Sequence, residues 1–149
     1  MTSEARPLPH TLVAHIPLVV WGMSFVFDVL SYFGGSPFVE AALFNVVAGL
    51  VAMLAAGVTE AWDYRTRLSP GSPARRFARW HGVANLVATA LFVASLALRA
   101  HERGAVATPR GPFVLSALGV AVLGVASWIG GLVDWEYAAT TRRQSRDAH

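Results

Sequence analysis

The stretch HTLVAHIPLVVWGMSFVFD (residues 10–28) decides which fold the chain can adopt. It places two histidines at the start of an apolar segment and one carboxylate, Asp28, near the far end. The apolar segment runs from Thr11 to Phe33 and carries a single formal charge. About 20 apolar residues cross a hydrocarbon core of roughly 30 Å, so the segment is long enough to be predicted as a transmembrane helix.

The composition is that of a membrane protein. Charged residues make up 14% of the chain, against about 25% in an average soluble domain. All 12 basic residues are arginines, and there is no cysteine, which excludes disulfides and thiolate metal sites. The arginines lie at the ends of apolar segments, so we expect them to set the topology rather than to bind nucleic acid.

Four apolar segments predict an all-α fold, an integral membrane four-helix bundle in one domain of residues 1–149. The predicted helices are residues 11–33, 37–62, 77–98 and 112–133, and residues 138–149 are predicted to be a polar tail. Nine arginines lie on the side of both termini and of the loop between the second and third helices, against three on the other side. This excess places both termini in the cytoplasm.

The two halves of the chain share features that predict a two-helix parallel repeat, with a pseudo-axis along the membrane normal. Helices two and four end in similar motifs, Glu60-Ala-Trp-Asp63-Tyr and Asp134-Trp-Glu-Tyr. Helices one and three open with a histidine, and the spacing from His15 to Tyr32 equals that from His81 to Leu98. His15 and His81 are therefore expected at one depth, facing each other across the axis.

This arrangement suggests a site for haem b, held between two helices by one imidazole from His15 and one from His81. His10 lies about 140° around the helix from His15, so an undistorted helix presents only one of the two to His81. Arg79 stands at the same membrane edge, where a guanidinium can pair with haem propionates.

Other interpretations of the same histidines remain open. A transition metal could be held by His15 and His81 with a carboxylate from Glu60, Asp63 or Asp134, although no ligand-spacing motif is present. Alternatively, each histidine is an interfacial side chain that is bonded to a carboxylate or to a backbone carbonyl.

Polar residues inside the apolar segments suggest a third class of function, a small transporter, for which a homodimer could build the pathway. Asp28 is an intramembrane carboxylate and hence a candidate site residue, unless it extends to the far interface. Asn45 is expected to bond to a neighbouring helix, and Asn85 shares the His81 face of the third helix.

Four motifs mark the ends of the predicted helices. They are His10-x4-His15-x-Pro17 leading into a helix that ends in Phe27-Asp28, Ala56-Gly57 with Asp63 at the end of the second helix, His81-x3-Asn85 at the start of the third, and Gly130-Gly131-Leu132-Val133 at the end of the fourth. On these motifs the chain resembles, over nearly its full length, the bacterial four-helix membrane proteins of domain of unknown function (DUF) 2231. The resemblance implies a bacterial inner-membrane protein surrounded by lipid. Relatives joined to Rieske-type or cytochrome-type domains imply electron transfer with a redox partner protein.

Overall fold

The computed structural model describes residues 9–102 and 104–147, with side chains for residues 15–102, 104–139 and 142. The described chain forms four helices, α1 (Pro9–Gly34), α2 (Ser36–Thr66), α3 (Pro73–His101) and α4 (Arg110–Asp147). Each contains a stretch that is long and apolar enough to cross a membrane. The predicted fold, an all-α integral membrane bundle of four helices, is confirmed.

The helices extend beyond the predicted ends. α3 begins at Pro73 instead of residue 77 because Ser72 caps it, its Oγ accepting a hydrogen bond from the Arg75 amide at 3.2 Å. α1 begins at Pro9 and continues through Pro17 as one helix. α4 continues to Asp147 through most of the stretch that was predicted to be a polar tail.

The bundle consists of two hairpins placed side by side. α1 packs mainly on α2, and α3 mainly on α4, while smaller contacts join α1 to α4 and α2 to α3. α1 and α3 therefore lie diagonally across the bundle. The outward faces carry large apolar side chains, among them Phe44, Leu54 and Leu86, each more than 70% exposed. Faces of this kind suit lipid contact.

Buried positions recur at a constant shift between the two hairpins. Each of these buried positions in α1 has a buried counterpart in α3 that lies 71 residues later in the sequence, which is also the separation of Asp28 and Arg99. Between α2 and α4 the separation of counterparts is one residue smaller. The first set is Pro17, Trp21, Ser24 and Asp28 against Ala88, Phe92, Ser95 and Arg99. The second is Ala42, Val46, Gly49, Met53 and Ala56 against Pro112, Ser116, Gly119, Leu123 and Ala126. The parallel repeat expected from the sequence is therefore present in the packing.

Equivalent side chains also make equivalent hydrogen bonds within each hairpin. The Ser24 hydroxyl on α1 donates to the Ala42 carbonyl on α2 at 2.9 Å. The Ser95 hydroxyl on α3 donates to the Pro112 carbonyl on α4 at 3.2 Å. Ser24 is the counterpart of Ser95, and Ala42 is the counterpart of Pro112. The same serine hydrogen bond therefore joins the two helices of each hairpin.

The two hairpins meet at a pair of aromatic rings in the bundle core. Trp21 and its counterpart Phe92 stack with ring centroids 4.2 Å apart and planes 11° from parallel. Each ring lies over a glycine of its own hairpin, Gly49 for Trp21 and Gly119 for Phe92, and a Cβ at either glycine would overlap that ring. Counterparts in α1 and α3 thus lie at one level across the axis.

This shift corrects the expected depth of the histidines. His81 is equivalent to position 10 of α1, so His15 lies five residues deeper, or about 7 Å along the helix. The spacing from His15 to Tyr32 equals that from His81 to Leu98, but Tyr32 and Leu98 are not equivalent positions. The counterpart of Leu98 in α1 is Phe27.

A buried ion pair joins α1 to α3 at the end of the bundle that holds the α1–α2 and α3–α4 links. Nη2 of Arg99 lies 2.8 and 2.6 Å from the two carboxylate oxygens of Asp28. Thr108 donates its hydroxyl to Asp28 at 2.8 Å, and Ser95 and Ser116 accept from the guanidinium at 3.3 and 3.2 Å. Asp28 is fully buried. The alternative that it extends to the membrane interface is therefore wrong, because pairing replaces hydration as the way to satisfy the charge.

We predict that the Arg99→Leu variant loses about 3–5 kcal/mol of unfolding free energy, because Asp28 would remain buried without its partner charge. The Asp28→Leu/Arg99→Leu double variant should recover most of that loss. Denaturation of the purified protein in mixed micelles measures both, with Glu40→Gln on the exposed face of α2 as the control. A double variant no more stable than Arg99→Leu would show that the two charges are not coupled.

Candidate functional site

A cleft of about 880 Å³ opens at the end of the bundle away from the Asp28–Arg99 pair. All four helices contribute to its lining, which is apolar toward the bundle core at Leu18, Met53 and Leu123. Its titratable and amide side chains include His15, Glu60, Asp63, His81, Asn85 and Asp134. The structure thus brings most of the candidates from the sequence to one space.

Glu60, His81 and Asn85 form a hydrogen-bonded cluster in this lining. Nε2 of His81 lies 3.1 Å from a carboxylate oxygen of Glu60, and the Asn85 amide nitrogen lies 3.0 Å from the same Nε2. That amide nitrogen also lies 3.3 and 3.4 Å from the two oxygens of Glu60. His81 and Asn85 are four residues apart, so they share one face of α3 and meet Glu60 together.

The other ring nitrogen of His81 is fixed to the backbone of α4. Nδ1 lies 2.7 Å from the Ala126 carbonyl oxygen, which can only accept a hydrogen bond, so Nδ1 carries a hydrogen. A glycine, Gly130, leaves room for the ring, because a Cβ there would approach Cε1 of His81 to 3.1 Å. The ring orientation is therefore set by the hairpin partner of α3.

Nε2 of His81 has two polar neighbours. Since Nδ1 already carries a hydrogen, a neutral His81 has a lone pair at Nε2, which can accept a hydrogen bond from the Asn85 amide at 3.0 Å. When the ring is protonated, Nε2 pairs with the Glu60 carboxylate at 3.1 Å. The interpretation of His81 as a side chain bonded to a carboxylate and a backbone carbonyl is confirmed by these contacts.

The other candidate residues at this end of the bundle differ in exposure and in their partners. His15 lines the cleft and is exposed. Asp63 pairs with Arg67 on its own helix at 2.9 Å. Arg65 and Arg67 belong to the lining, whereas Arg79 is exposed and lies outside it. The side chain of His10 is outside the described part of the chain.

One amide does not bond as expected. Asn45 donates to the Ala41 carbonyl of its own helix at 2.9 Å instead of to a neighbouring helix. It is half-buried on α2, where the carbonyl four residues earlier is within reach of a short amide side chain.

The described residues contain no group of three or more histidine, aspartate or glutamate side chains arranged to hold a metal ion. The metal interpretation therefore lacks a ready ligand set in that part of the chain, and His15 and His81 as metal ligands remain a prediction from the sequence.

Residues 6–143 match a family described as DUF2231, predicted membrane protein. The chain belongs to the DUF2231 family. The match covers nearly the whole chain and confirms the resemblance drawn from the histidine and glycine motifs. Comparison with curated proteins and with solved structures gives no match, so the use of the cleft in this DUF2231 protein must be argued from its own residues.

Sequence reasoning missed the partners of Asp28. Arg99 was counted with the topology-setting arginines after the third helix, and Thr108 was not considered. A signal was available, because Arg99 continues the stripe of Ala88, Phe92 and Ser95 at alternating spacings of four and three residues. A charged side chain on the inward face of a membrane helix is expected to have a partner inside the bundle.

We predict that the Ser127→Cys variant of this DUF2231 protein reacts readily with a water-soluble maleimide, because Ser127 lines the open cleft. The matched Ser24→Cys variant should react far more slowly, because Ser24 is fully buried beside the Trp21–Phe92 pair. The native chain has no cysteine to interfere. Similar rates for the two variants would contradict an aqueous cleft that ends at the core.

Proposed function

We propose that this protein binds haem b in the cleft through His81 and takes part in electron transfer. The observation that carries the proposal is the setting of the His81 ring, whose Nδ1–H is bonded to the Ala126 carbonyl at 2.7 Å while Nε2 contacts Glu60 and Asn85 in the lining of a cofactor-sized cleft. Histidines that ligate metals in proteins almost always donate the other ring N–H to a carbonyl, a carboxylate or water. Bound haem would supply one-electron chemistry, with a potential set by its axial ligands and its burial.

The cleft suits a large, mainly apolar ligand. Its volume of about 880 Å³ lies within the range of roughly 300–1,000 Å³ that is usual for small-molecule and cofactor sites. Gly130 leaves the His81 ring free of a side chain on one face. Arg65 and Arg67, which line the cleft, are better placed than Arg79 to pair with propionates.

Glu60 competes with the proposed iron bond. Its carboxylate lies 3.1 Å from Nε2 of His81, so ligation requires Glu60 and Asn85 to give up their contacts with that nitrogen. Both polar groups lie at the cleft, where water can replace the lost contacts. Removing the Glu60 carboxylate should therefore leave haem binding intact or strengthen it.

The same contact favours a second candidate function, a proton-binding site without a cofactor. A proton bound at Nε2 of His81, beside the Glu60 carboxylate, would exchange through the cleft, as a small proton-coupled transporter would require. In this interpretation Asp28 is not the carrier, because it is fully buried and paired with Arg99.

We expect protein expressed with adequate haem to show a Soret band and the visible bands of a b-type haem protein. His81→Ala should abolish these bands, and Glu60→Ala should retain them. His101→Ala is the matched control, because His101 is exposed at the opposite end of the same helix. A colourless protein that also fails to take up added hemin would refute the haem proposal, and metal analysis and proton flux in proteoliposomes would then test the alternatives.

We further propose that both termini face the cytoplasm of a bacterial inner membrane. Nine arginines lie on the terminal side, and of the three on the other side Arg99 is buried in an ion pair. The cleft would then open to the cytoplasm, where a redox partner could approach it.

An alkaline phosphatase fused after His149 should be inactive in this orientation, because the enzyme matures only in the periplasm. The same fusion after Ala105, in the link between α3 and α4, should be active. The reverse pattern would overturn the orientation.

A further inference from the structure

The cleft reaches the outer surface of the bundle between α2 and α3. Its lining includes Leu54 and Val58 of α2 and Leu86 of α3, and each of these side chains is more than 70% exposed. The contacts between α2 and α3 are also smaller than those within either hairpin. The cleft is therefore open sideways, through a lateral groove that is lined by Leu54, Gly57, Val58, Ala61, Gly82 and Leu86.

Two glycines keep the lateral groove open. Gly57 on α2 and Gly82 on α3 both line the cleft and are exposed. A Cβ at either position would have open space around it, with no heavy atom of another helix within 4 Å. The groove can therefore admit a hydrocarbon chain at these positions.

Exposed tryptophans mark the membrane depth of the groove. Trp62 on α2 and Trp80 on α3 are exposed, and tryptophan is enriched at membrane–water interfaces. Leu54 and Val58 lie two turns and one turn before Trp62, so they are at the depth of the acyl chains. Arg65 follows Trp62 by three residues in the other direction, at the level of the lipid head groups.

The rim of the cleft beside the groove carries positive charge. Arg65 lines the cleft and is exposed. The guanidinium carbon of Arg75 lies 4.5 Å from the centroid of the Tyr64 ring, which also lines the cleft. The nearby carboxylate of Asp63 is paired with Arg67. Basic sites between transmembrane helices bind anionic lipid head groups, and a lipid phosphate at this level would meet the charge of Arg65.

We infer that the lateral groove binds an anionic phospholipid of the surrounding bilayer, with one acyl chain over Gly57 and Gly82 and the phosphate paired with Arg65. The groove combines the two features that such a lipid requires, namely apolar side chains at acyl depth and an arginine at head-group depth. The inference goes beyond the proposed function and does not rest on haem binding, because the groove is the outer part of the cleft.

Native mass spectrometry of the full-length protein without haem, released from vesicles of equal parts phosphatidylglycerol and phosphatidylcholine, tests the head-group contact. The wild-type protein should retain phosphatidylglycerol in preference to phosphatidylcholine. Arg65→Gln should lower that preference about fivefold, the effect of one arginine near an anionic head group. Arg79→Gln, the matched change at an exposed arginine outside the lining, should leave the preference unchanged.

A second pair of variants tests the position of the acyl chain. Gly57→Leu/Gly82→Leu should fill the groove and abolish retention of the lipid. Gly22→Leu/Gly124→Leu, at two glycines outside the lining that have the same open space, should retain it.

Two results would overturn the inference, namely a wild-type protein that retains both lipids equally and a filled groove that retains phosphatidylglycerol as before. Neither result bears on the haem proposal, since the measurement uses protein without haem. Conversely, a colourless protein that takes up no hemin would leave the lipid measurement unaffected.

Discussion

The ion pair between Asp28 and Arg99 is the contact on which the arrangement of the two hairpins depends. In a bilayer, lipid tails are as apolar as the helices, so burial of apolar side chains alone does not strongly favour one alignment of the hairpins over another. A fully buried carboxylate 2.6 Å from a guanidinium does favour one alignment, because burying either charge without the other costs free energy. The pair therefore fixes which residue of α1 lies opposite which residue of α3.

The rest of the core follows from that alignment. Two turns toward the other end of the bundle, Trp21 meets Phe92, and the close approach of these rings depends on Gly49 and Gly119 in the partner helices. Beyond the rings the helices enclose the cleft with His81, Glu60 and Asn85. The two ends of the bundle thus differ, since one is closed by a buried ion pair and the other is an open cleft lined by the polar side chains of His81, Glu60 and Asn85.

The sequence predicted the parts of this structure that depend on local composition. The length and position of the apolar segments predicted the four helices and their approximate ends. Contact between the histidine at the start of α3 and a carboxylate at the end of α2 was among the expected arrangements, and the structure shows it between His81 and Glu60. What the sequence reasoning missed depends on how diagonal helices are aligned. The level of His15 relative to His81 follows from the buried positions that α1 and α3 share, and these are known only from the packing. Arg99 was counted among the arginines that set the topology because its buried position on α3 is likewise known only from the packing.

The alignment can be measured directly as membrane depth, and the absence of cysteine makes the chain suitable for single-site spin labelling. Val26 and Ala97 are counterparts under the shift that relates Asp28 to Arg99, and both are exposed on the outer faces of α1 and α3. Labels on the Val26→Cys and Ala97→Cys variants, read by their accessibility to oxygen and to a water-soluble nickel complex, should report the same depth in a bilayer. Depths that differ by about 7 Å, the rise of five helical residues, would contradict the alignment and would return His15 to the level of His81.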